Sequence, residues 1–553
     1  MPLLDASVSG EIHETAEARL DVESKERNIS HREITGRGDS LMGVISKLIP
    51  LLAKRKAKTI AEILNNPISL TEGKLMSILE AHSHTRFGKD YNFANIRTPE
   101  QFSEAVPLYD YYSMKPYWEQ IQATPEQPII SADPVIWYVQ SSGSTGRPKA
   151  LPISQAGLSD YTSGSMLFLM SFINAKEGNN KVFDGTMLTF AAPARIGEIN
   201  GVPLGYMTGI SREMIANALL KKIVKPGEEI FNMTEMHQKL WAYAKYAVTE
   251  NVTSLGGITT LVFAFIRRMQ NEYGPSLLDE FKGTKHEARI REALSDDGKL
   301  DLNVLWPKLI MVGATGVDAD PFKPWLSRTL PNATLWDNYA GSEGLYGTTL
   351  LKNTDNGIQL LPHINYFEFI PESEIEKEDP TVIPLSEVKK NHRYELVLTN
   401  MFGYTRYRIG DVMTFMDTDP YSVYRIGRKG KSVNLTGEKL SDAHVTEGVA
   451  YATKVTGAEV LDYNVYGSIG EGQANYVIAA MFNNEVDPIE FARAFDECVG
   501  TNNGEFKYVQ EFGSLGPTIV KKMTTSHTES IIEQTHIQAK AEPLTAEVVE
   551  GSA

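Results

Sequence analysis

Short apolar runs alternate with helical patterns through the middle of the chain. Strand-like runs occur around residues 182–190, 254–257 and 309–312, and segments with helical periodicity separate them. Residues 261–266 are apolar throughout, but the run is too short to cross a membrane, which predicts a core helix. This alternation favours an α/β fold whose sheets are covered by helices.

The pattern changes towards the end of this region and at both ends of the chain. Residues 394–426 show strand-like runs separated by Gly403, typical of a small, mostly antiparallel barrel or sheet. The charged stretch at 427–432 is punctuated by glycines and predicts a connector between domains. Residues 1–38 are charged and poor in large apolar side chains, which indicates a disordered or peripheral segment.

The chain has 553 residues, which is too long for one hydrophobic core. We predict a large N-terminal domain over residues 39–428 and a small α+β C-terminal domain over residues 429–545. The acidic tail, residues 546–553, is expected to be loose.

Composition and charge narrow the class of protein. The formal net charge of −16 argues against broad nucleic-acid binding. The single cysteine, Cys498, excludes an intrachain disulfide and a cysteine-based metal site. The first residues lack a basic end followed by an apolar stretch, and no apolar run reaches membrane-spanning length. We therefore expect a cytoplasmic protein without membrane insertion.

The most informative polar segment follows the apolar run at 135–139. Residues 141–149 read S-S-G-S-T-G-R-P-K, with hydroxyl residues and glycines that end in a lysine. Gly143 and Gly146 allow the backbone amides to converge on an anion, and Lys149 adds a point charge. The alternative is a flexible Ser/Gly turn, but this chemistry favours phosphate binding, although the spacing is not that of a Walker P-loop. The hydroxyl donors are Ser141, Ser142, Ser144 and Thr145.

A second motif, Y-A-G-S-E-G, occupies residues 339–344. The Glu343 carboxylate beside the Ser342 hydroxyl is suited to hold Mg²⁺ on a nucleotide phosphate, and Tyr339 is suited to stack on a base. The alternative is a helix that starts with Ser342 as its cap and Glu343 in its first turn. Taken alone, the motif favours the helix start, because capped helix starts are common.

Three further motifs are compatible with a nucleotide. Gly313 and Ala314 follow a buried-looking strand and either let the backbone approach a flat purine or form only a tight turn. Asp411 follows Gly410, where a strand is expected to end in a turn, and its carboxylate is able to accept two ribose hydroxyls. Arg428, 17 residues further on, would add a polar group near that ribose. A plain strand-end turn and a surface loop explain the last two equally well.

The order of these motifs resembles the adenylate-forming superfamily of acyl-CoA synthetases, nonribosomal adenylation domains and luciferases. A closer resemblance is to the auxin-responsive Gretchen Hagen family of acyl acid amido synthetases, and it spans roughly residues 75–545. The stretches that carry it are Y-F-E-F-I-P at 366–371, Y-E-L-V-L-T-N at 394–400, Y-R-I-G-D at 407–411, G-R-K-G-K at 427–431 and G-E-K at 437–439.

The resemblance implies a large N-terminal adenylate-forming domain, a hinge near residues 429–430 and a small mobile C-terminal domain. It also implies two half-reactions. In the first, a carboxylic acid attacks the α-phosphate of ATP and gives an acyl-adenylate and pyrophosphate. In the second, an amine, usually of an amino acid, attacks the acyl-adenylate and gives an amide and AMP.

The resemblance also implies a role for each motif residue. The 141–149 loop would hold the β- and γ-phosphates, and Tyr339 would lie against adenine. Ser342 would touch the α-phosphate, Glu343 would bind Mg²⁺, and Asp411 would hold the ribose with Arg428 nearby. The residues expected to take part in catalysis are Lys149, Ser342, Glu343 and Lys540.

The C-terminal motif and the acid-binding segment are less defined. Lys540 lies in Q-A-K, where the family often has Q-x-K followed by P-R, but this chain continues A-E-P, and an exposed tail lysine fits equally. Residues 168–173 and 194–200 are candidates for the acyl pocket. Within them, Arg195 either pairs with a second carboxylate or a ring substituent of the acid, or forms a structural salt bridge, and the salt bridge is more common.

The expected function is therefore an ATP- and Mg²⁺-dependent ligase that joins a carboxylic acid to an amino acid. Two alternatives stay open. One is an acyl-CoA synthetase that forms a thioester, and the other is a non-catalytic nucleotide-binding protein. The acid, the amine and the oligomeric state do not follow from the sequence.

Overall fold

The first part of the described chain is helical, as its pattern predicts. The computed structural model describes residues 53–141, 149–214, 223–233, 235–315, 319–351, 357–436, 438–470, 473–511, 513–530 and 543–550. The predicted peripheral segment, residues 1–38, lies outside them. The Thr85 and Thr98 hydroxyls cap the helices that follow by accepting hydrogen bonds from backbone amides.

The helices cover the strands described below. In chain order they are α1 (53–65), α2 (Pro67–His82), α3 (Arg86–Asp90), α4 (Pro99–Ala105), α5 (Lys115–Ala123), α6 (Gln155–Ala175), α7 (Met207–Glu213), α8 (Glu228–Phe231), α9 (Met236–Thr249), α10 (Thr259–Asn271), α11 (Gly274–Glu280), α12 (Glu287–Ala293), α13 (Leu302–Leu305), α14 (Lys323–Thr329), α15 (Asp442–Thr456), α16 (Pro488–Asn502) and α17 (Gly504–Glu511). No helix in the described ranges combines the length and the apolar character that a membrane crossing requires.

The strands form four sheets. In chain order they are β1 (Val135–Gln140), β2 (Ala150–Ser154), β3 (Thr186–Phe190), β4 (Gly197–Ile199), β5 (Val202–Gly205), β6 (Val224–Lys225), β7 (Val252–Ile258), β8 (Met311–Thr315), β9 (Thr334–Gly341), β10 (Gly344–Thr348), β11 (Ile358–Leu360), β12 (Asn365–Pro371), β13 (Ile383–Pro384), β14 (Arg393–Asn400), β15 (Tyr407–Thr418), β16 (Tyr421–Arg428), β17 (Ser432–Val433), β18 (Leu440–Ser441), β19 (Val460–Gly470), β20 (Gln473–Phe482), β21 (Ile519–Lys522) and β22 (Leu544–Glu550).

A sheet of twelve strands runs through the large domain in the order β13-β12-β14-β15-β16-β11-β10-β9-β8-β7-β3-β6. One half of the sheet is parallel and consists of β6, β3, β7, β8 and β9. The other half is antiparallel: β10 pairs antiparallel with β9, and each following strand, β11, β16, β15, β14, β12 and β13, pairs antiparallel with the one before it. The predicted antiparallel unit is thus present, and it is hydrogen-bonded into the same sheet as the parallel strands.

The parallel half is buried on both faces because helices cross over between its strands. Residues 261–266 form the centre of α10, and each is at most 5% exposed, so the predicted core helix is confirmed. A second sheet, β2-β1-β5-β4, packs beside the antiparallel half and carries the phosphate-loop motif between β1 and β2.

The C-terminal part is a separate sheet, β21-β20-β19-β22, covered by α15 and α16. Residues 546–550, which we expected to be part of a loose tail, instead lie in β22, where Val548 and Val549 pair in parallel with β19. The C-terminal part contacts the large domain through Glu529, which forms ion pairs with Arg267 and Arg268 of α10.

Candidate functional site

Tyr339, Ser342 and Glu343 lie in a β-hairpin near the middle of the large sheet. Gly341 at the end of β9 pairs with Gly344 at the start of β10, so Ser342 and Glu343 form the turn. The helix start that the motif alone favoured is therefore wrong. The five residues after the turn are buried and form a strand that pairs with both β9 and β11, and this pairing outweighs the local capping signal.

Tyr339 and Asp411 are 72 residues apart in the sequence and in direct contact in the structure. The Tyr339 hydroxyl donates a hydrogen bond of 2.9 Å to a carboxylate oxygen of Asp411. Both side chains are buried, with 5% and 8% exposure. The fold thus joins two motifs that the sequence could only place in order.

Asp411 does not follow the end of a strand, as we expected, but lies within β15. The β14–β15 register moves from Val397 opposite Arg408 to Glu395 opposite Val412, so β15 bulges around Asp411. Gly410 has a φ of +82°, which a glycine adopts without strain. The bulge turns the Asp411 carboxylate towards Tyr339. Across β15 and β16 the backbone of Arg428 pairs with that of Asp411, as the motif spacing suggested; the Arg428 side chain lies outside the described atoms.

Glu343 is held at the hairpin turn by neighbours from two strands. Asn400 of β14 donates an amide hydrogen bond of 2.9 Å to the Glu343 backbone carbonyl, and the Tyr346 hydroxyl lies 3.4 Å from a Glu343 carboxylate oxygen. The rings of Tyr346 and Tyr339 meet edge to face with centroids 4.8 Å apart. A Cβ at Gly341 would lie 2.5 Å from the Tyr346 hydroxyl, so a larger residue there would displace the Tyr346 ring.

These contacts also show what the motif analysis missed. Tyr346 and Asn400 contact the predicted site but were not assigned roles. A regular two-residue hairpin with Ser342 and Glu343 at its turn would have placed Tyr346 opposite Tyr339, and directly opposite side chains are neighbours on one face of the sheet. In the structure the register shifts between Leu345 and Gly347, and the two rings still meet.

The phosphate-loop motif connects two antiparallel strands. Gln140 pairs with Ala150, the Ser141 amide donates to the Lys149 carbonyl at 2.9 Å, and the Lys149 amide lies 3.3 Å from the Ser141 hydroxyl. The base of the loop is therefore a closed hairpin. The residues assigned to the loop that lie outside the described residues are Ser142, Gly143, Ser144, Thr145 and Gly146.

Lys149 lies beside aromatic side chains. Its ammonium nitrogen is 4.7 Å from the ring centroid of Tyr111 and 5.6 Å from that of Tyr112. Both distances are within the range of a cation–π interaction. Neither tyrosine was predicted to belong to the site.

Gly313 and Ala314 do not form a turn, as one interpretation of the motif required, but lie inside β8 between β7 and β9. Ala314 is opposite Gly257 on one side and Asp337 on the other. A Cβ at Gly313 would be 3.1 Å from the Phe168 ring, so the missing side chain lets α6 pack close to the sheet. The strand extends further than predicted because both of its neighbours continue to pair with it.

Asp337 is a buried carboxyl group two residues before Tyr339, and it was not predicted. It is 9% exposed, and its Oδ1 has no hydrogen-bond partner within the described part of the chain. Burial raises its pKa to about 7, opposed by the nearby Lys323 ammonium and reinforced by Asp320. Asp337 is therefore largely protonated in mildly acidic solution.

The two candidate segments for the acyl pocket differ in their surroundings. Phe172 and Ile173 of α6 are buried in an apolar cluster with Trp336. Arg195 pairs with Glu213 at 2.7 Å and its guanidinium lies 4.3 Å from the centroid of the Trp137 ring. Arg195 therefore forms the structural salt bridge.

Comparison with known proteins supplies the family. Residues 56–295 match the model of the GH3 family N-terminal domain, and residues 358–422 match that of the GH3 family central domain. The chain belongs to the GH3 family. The two matched segments together contain the base of the phosphate loop and Asp411, and the Tyr339–Glu343 hairpin lies between them.

Curated GH3 relatives match over most of their length. The chain is 24% identical over 473 residues to indole-3-acetic acid-amido synthetase GH3.2 of Arabidopsis thaliana, a match that covers 76% of this chain and 85% of the relative. It is 24% identical over 509 residues to jasmonoyl--L-amino acid synthetase JAR4 of Nicotiana attenuata, covering 82% and 86%. The family resemblance inferred from the motifs is thereby confirmed.

A solved GH3 structure supports the fold. The GH3.15 acyl acid amido synthetase superposes with a TM-score of 0.70 at 16% identity, covering 89% of this chain and 94% of that one. The predicted α/β class, with a large N-terminal domain and a C-terminal sheet domain, is confirmed.

The donor set of this GH3 chain suits a magnesium–nucleotide complex. The described residues contain no cluster of three or more His, Cys, Asp or Glu side chains that would hold a metal by themselves. Mg²⁺ bound to a nucleotide needs only one or two carboxylates, because phosphate and water oxygens complete its shell. Glu343, half-buried at a turn with the Ser342 hydroxyl beside it, provides such a carboxylate.

Proposed function

We propose that this GH3 protein is an ATP-dependent ligase that adenylates a carboxylic acid and transfers the acyl group to an amino acid. The observation that carries the proposal is the contact between Tyr339 and Asp411, with Glu343 in the adjoining turn. It brings together the residues proposed to hold a base, a ribose and a metal-bound phosphate. The names of the curated relatives, which are amido synthetases, support the same chemistry.

In the first half-reaction a carboxylate oxygen of the acid attacks the α-phosphorus of ATP. The bond to the bridging oxygen breaks, and pyrophosphate leaves with the electron pair. Asp411 holds the ribose hydroxyls, and Tyr339 orients the Asp411 carboxylate through its hydroxyl group. Lys149 and the hydroxyl of Ser141 lower the charge repulsion between the acid and the polyphosphate.

Two residues at the hairpin turn face the phosphates in this proposal. Ser342 donates its hydroxyl to the α-phosphate, and Glu343 would hold Mg²⁺. When bound, the ion supplies charge neutralisation at the phosphate oxygens. Asn400 and Tyr346 restrict the Glu343 side chain and backbone, which favours a single orientation of the carboxylate.

In the second half-reaction the neutral amine of an amino acid attacks the acyl carbon. The carbon–oxygen bond to the phosphate breaks, AMP leaves with the electron pair, and the amine loses a proton to solvent. We place a hinge for this step at residues 429–430, because β16 ends at Arg428 and Gly430 has a φ of +74°. Lys540, outside the described residues, stays a candidate for this step.

The cellular setting is part of the proposal. Cys498 is buried and is the single cysteine of the chain, so the fold does not depend on an oxidising compartment. We propose that the enzyme acts in the cytoplasm on small molecules, with ATP and Mg²⁺ as cosubstrate and cofactor.

The test is product formation from defined pools. The protein is incubated with ATP, Mg²⁺, a panel of carboxylic acids and the twenty amino acids, and the products are identified by mass spectrometry. We expect acid–amino acid conjugates and AMP release that depends on the amino acids. AMP release that depends strictly on coenzyme A would instead establish the thioester-forming alternative.

A second assay isolates the first half-reaction. ATP–pyrophosphate exchange that requires a carboxylic acid is expected, and its absence with a broad acid panel would support a non-catalytic nucleotide-binding protein. Asp411→Asn should lower the exchange rate about 100-fold, as expected for loss of a group that orients a substrate. Asp417→Asn is the matched control on the same strand, where the carboxylate forms a surface pair with Lys390 at 2.8 Å.

A further inference from the structure

The Lys149 ammonium lies over a pair of tyrosines, Tyr111 and Tyr112, that precede the phosphate loop by about 30 residues. Its nitrogen is 4.7 Å from the Tyr111 centroid and 5.6 Å from the Tyr112 centroid. The two rings meet edge to face, with centroids 5.7 Å apart. A cation above two aromatic faces is attracted by both ring quadrupoles.

Tyr111 is fixed by a buried neighbour rather than by Lys149. The Trp118 indole donates a hydrogen bond of 2.9 Å to the Tyr111 carbonyl, and the two rings are stacked with centroids 6.2 Å apart. Trp118 is 4% exposed. The Tyr111 ring is therefore a preformed surface for the ammonium.

The segment that carries Tyr111 is attached to the strand that carries Asp411. The Tyr109 amide donates to the Arg406 carbonyl at 2.9 Å, and the Arg408 amide donates to the Tyr109 carbonyl at 2.6 Å. Arg408 is three residues before Asp411 on β15. The position of Tyr111 is thus set by the same strand that holds the proposed ribose ligand.

Aromatic contacts extend from Trp118 towards Glu343. Trp118 meets Tyr404 edge to face at 6.0 Å, and Tyr404 is completely buried. Burial raises the pKa of the Tyr404 phenol, and the Glu343 carboxylate and Tyr111 are close enough to raise it further. Tyr404 therefore lies within electrostatic range of both Glu343 and the Tyr111 ring that carries Lys149.

Asp110 completes the surroundings of Lys149. It accepts hydrogen bonds of 2.8 Å from both the amide and the hydroxyl of Ser113. Burial raises the pKa of Asp110, but the Ser113 hydrogen bonds and the nearby Lys149 ammonium lower it overall. The two side chains form no ion pair within the described part of the chain, so Asp110 acts on Lys149 through its field.

We propose that Tyr111 is a positioning residue for Lys149, holding its ammonium so that it meets the polyphosphate of ATP. This inference rests on the proposed function, since it takes Lys149 as the lysine that binds the phosphates. Tyr112, which is 65% exposed, makes a smaller contribution. The Tyr111 ring, and not its hydroxyl, carries the effect.

The test is equilibrium binding of a non-hydrolysable ATP analogue with Mg²⁺, and of AMP, measured by titration calorimetry on the full chain. Tyr111→Leu removes the ring, and we expect it to weaken binding of the ATP analogue about fivefold while leaving AMP binding unchanged. Tyr111→Phe keeps the ring and should bind the analogue like the parent protein. Tyr112→Leu should weaken binding about twofold, and Tyr508→Leu, at an equally exposed tyrosine of α17, should have no effect.

A double-variant cycle separates positioning from folding. In a Lys149→Met background, Tyr111→Leu should cause no further loss of affinity. An equal loss in both backgrounds, or an equal loss for AMP, would overturn the inference and assign Tyr111 a structural role. If the parent protein binds the ATP analogue and Tyr111→Leu binds it equally well, only the inference is overturned. If the parent protein binds neither nucleotide, the proposed function is overturned as well.

Discussion

The two halves of the twelve-stranded sheet are both buried, but they differ in what they bury. The parallel half, from β6 to β9, brings small residues together at the centre of adjacent strands, such as Gly256 opposite Gly313. The antiparallel half buries complete ion pairs, such as Arg406 with Glu368, which are 6% and 4% exposed. The parallel half depends on close packing of backbone and helices, and the antiparallel half depends on satisfied charges.

The candidate site lies where the two halves meet. Tyr339 belongs to the last parallel strand and Asp411 to the antiparallel half, and their hydrogen bond crosses the boundary. Close packing supports the site from the parallel half, and buried ion pairs support it from the antiparallel half. Variants that disturb the packing of one half or the ion pairs of the other test this difference.

The largest effect is expected from Arg406→Met in the antiparallel half. Burial raises the pKa of Glu368 and Arg406 opposes this, so removing the guanidinium leaves a buried carboxylate without its cation. Arg406 also donates to the Ser103 and Val106 carbonyls at 2.8 and 2.6 Å. We expect the free energy of unfolding to fall by about 4 kcal/mol, measured by chemical denaturation. The double variant Glu368→Gln/Arg406→Met should recover part of this loss, and identical losses would show that charge pairing is unimportant.

Gly257→Ala should destabilise the parallel half through a steric clash rather than through an unpaired charge. Gly257 has a φ of +143°, and a Cβ there would lie 2.0 Å from the Phe190 carbonyl oxygen. Because the obstacle is backbone, the strand has to shift, and we expect a loss of about 3 kcal/mol in unfolding free energy. The neighbouring Gly256→Ala is the matched control, since its Cβ would meet no atom closer than 3.9 Å. Equal losses at the two positions would contradict the packing explanation.

Asp337→Asn tests how a buried carboxyl group beside the site affects the stability of the parallel half. Asp337 lies on β9, two residues before Tyr339. Because the pKa of Asp337 rises to about 7 on folding, its stabilising contribution is complete below its unfolded pKa and is lost as pH rises through the folded value. The variant should therefore gain stability relative to the parent protein by about 2 kcal/mol between pH 5 and pH 8. Urea denaturation at the two pH values measures this. A difference between variant and parent that does not change with pH would show that Asp337 is ionised throughout.

The smallest effect is expected from Tyr339→Phe, which removes the hydrogen bond between the two halves of the sheet. The ring and its contact with Tyr346 stay, and the hydrogen bond to Asp411 is lost. We expect the unfolding free energy to fall by about 1 kcal/mol. Tyr346→Phe, whose hydroxyl lies at the longer distance of 3.4 Å from Glu343, should cost less. A cycle with Asp411→Asn that shows no coupling would mean that the two halves are independent at the site.

Predictions for elements that local sequence patterns decide were confirmed, and the predictions that were wrong concern segments whose structure is decided by contacts with distant strands. The core helix at 261–266 and the alternation of strands and helices follow from local hydrophobic periodicity, and both were predicted. The helix start at Ser342 and the strand end at Asp411 were wrong because the deciding hydrogen bonds come from strands that are distant in the sequence. Residues 546–550 differ for the same reason, since a short segment becomes a strand when an unpaired edge of β19 is available.

The fold class and the family follow from the sequence alone, because hydrophobic periodicity and short motifs are local properties of the chain. The sequence also supplied candidate residues for nucleotide binding, among them Lys149, Glu343 and Asp411, whose roles stay predictions. The tertiary structure decided which of them meet and what surrounds them, including the contact of Tyr339 with Asp411 and the tyrosines beside Lys149. These contacts depend on strand register and on a bulge at Gly410, which arise from hydrogen bonding between distant segments and leave no local periodic signal.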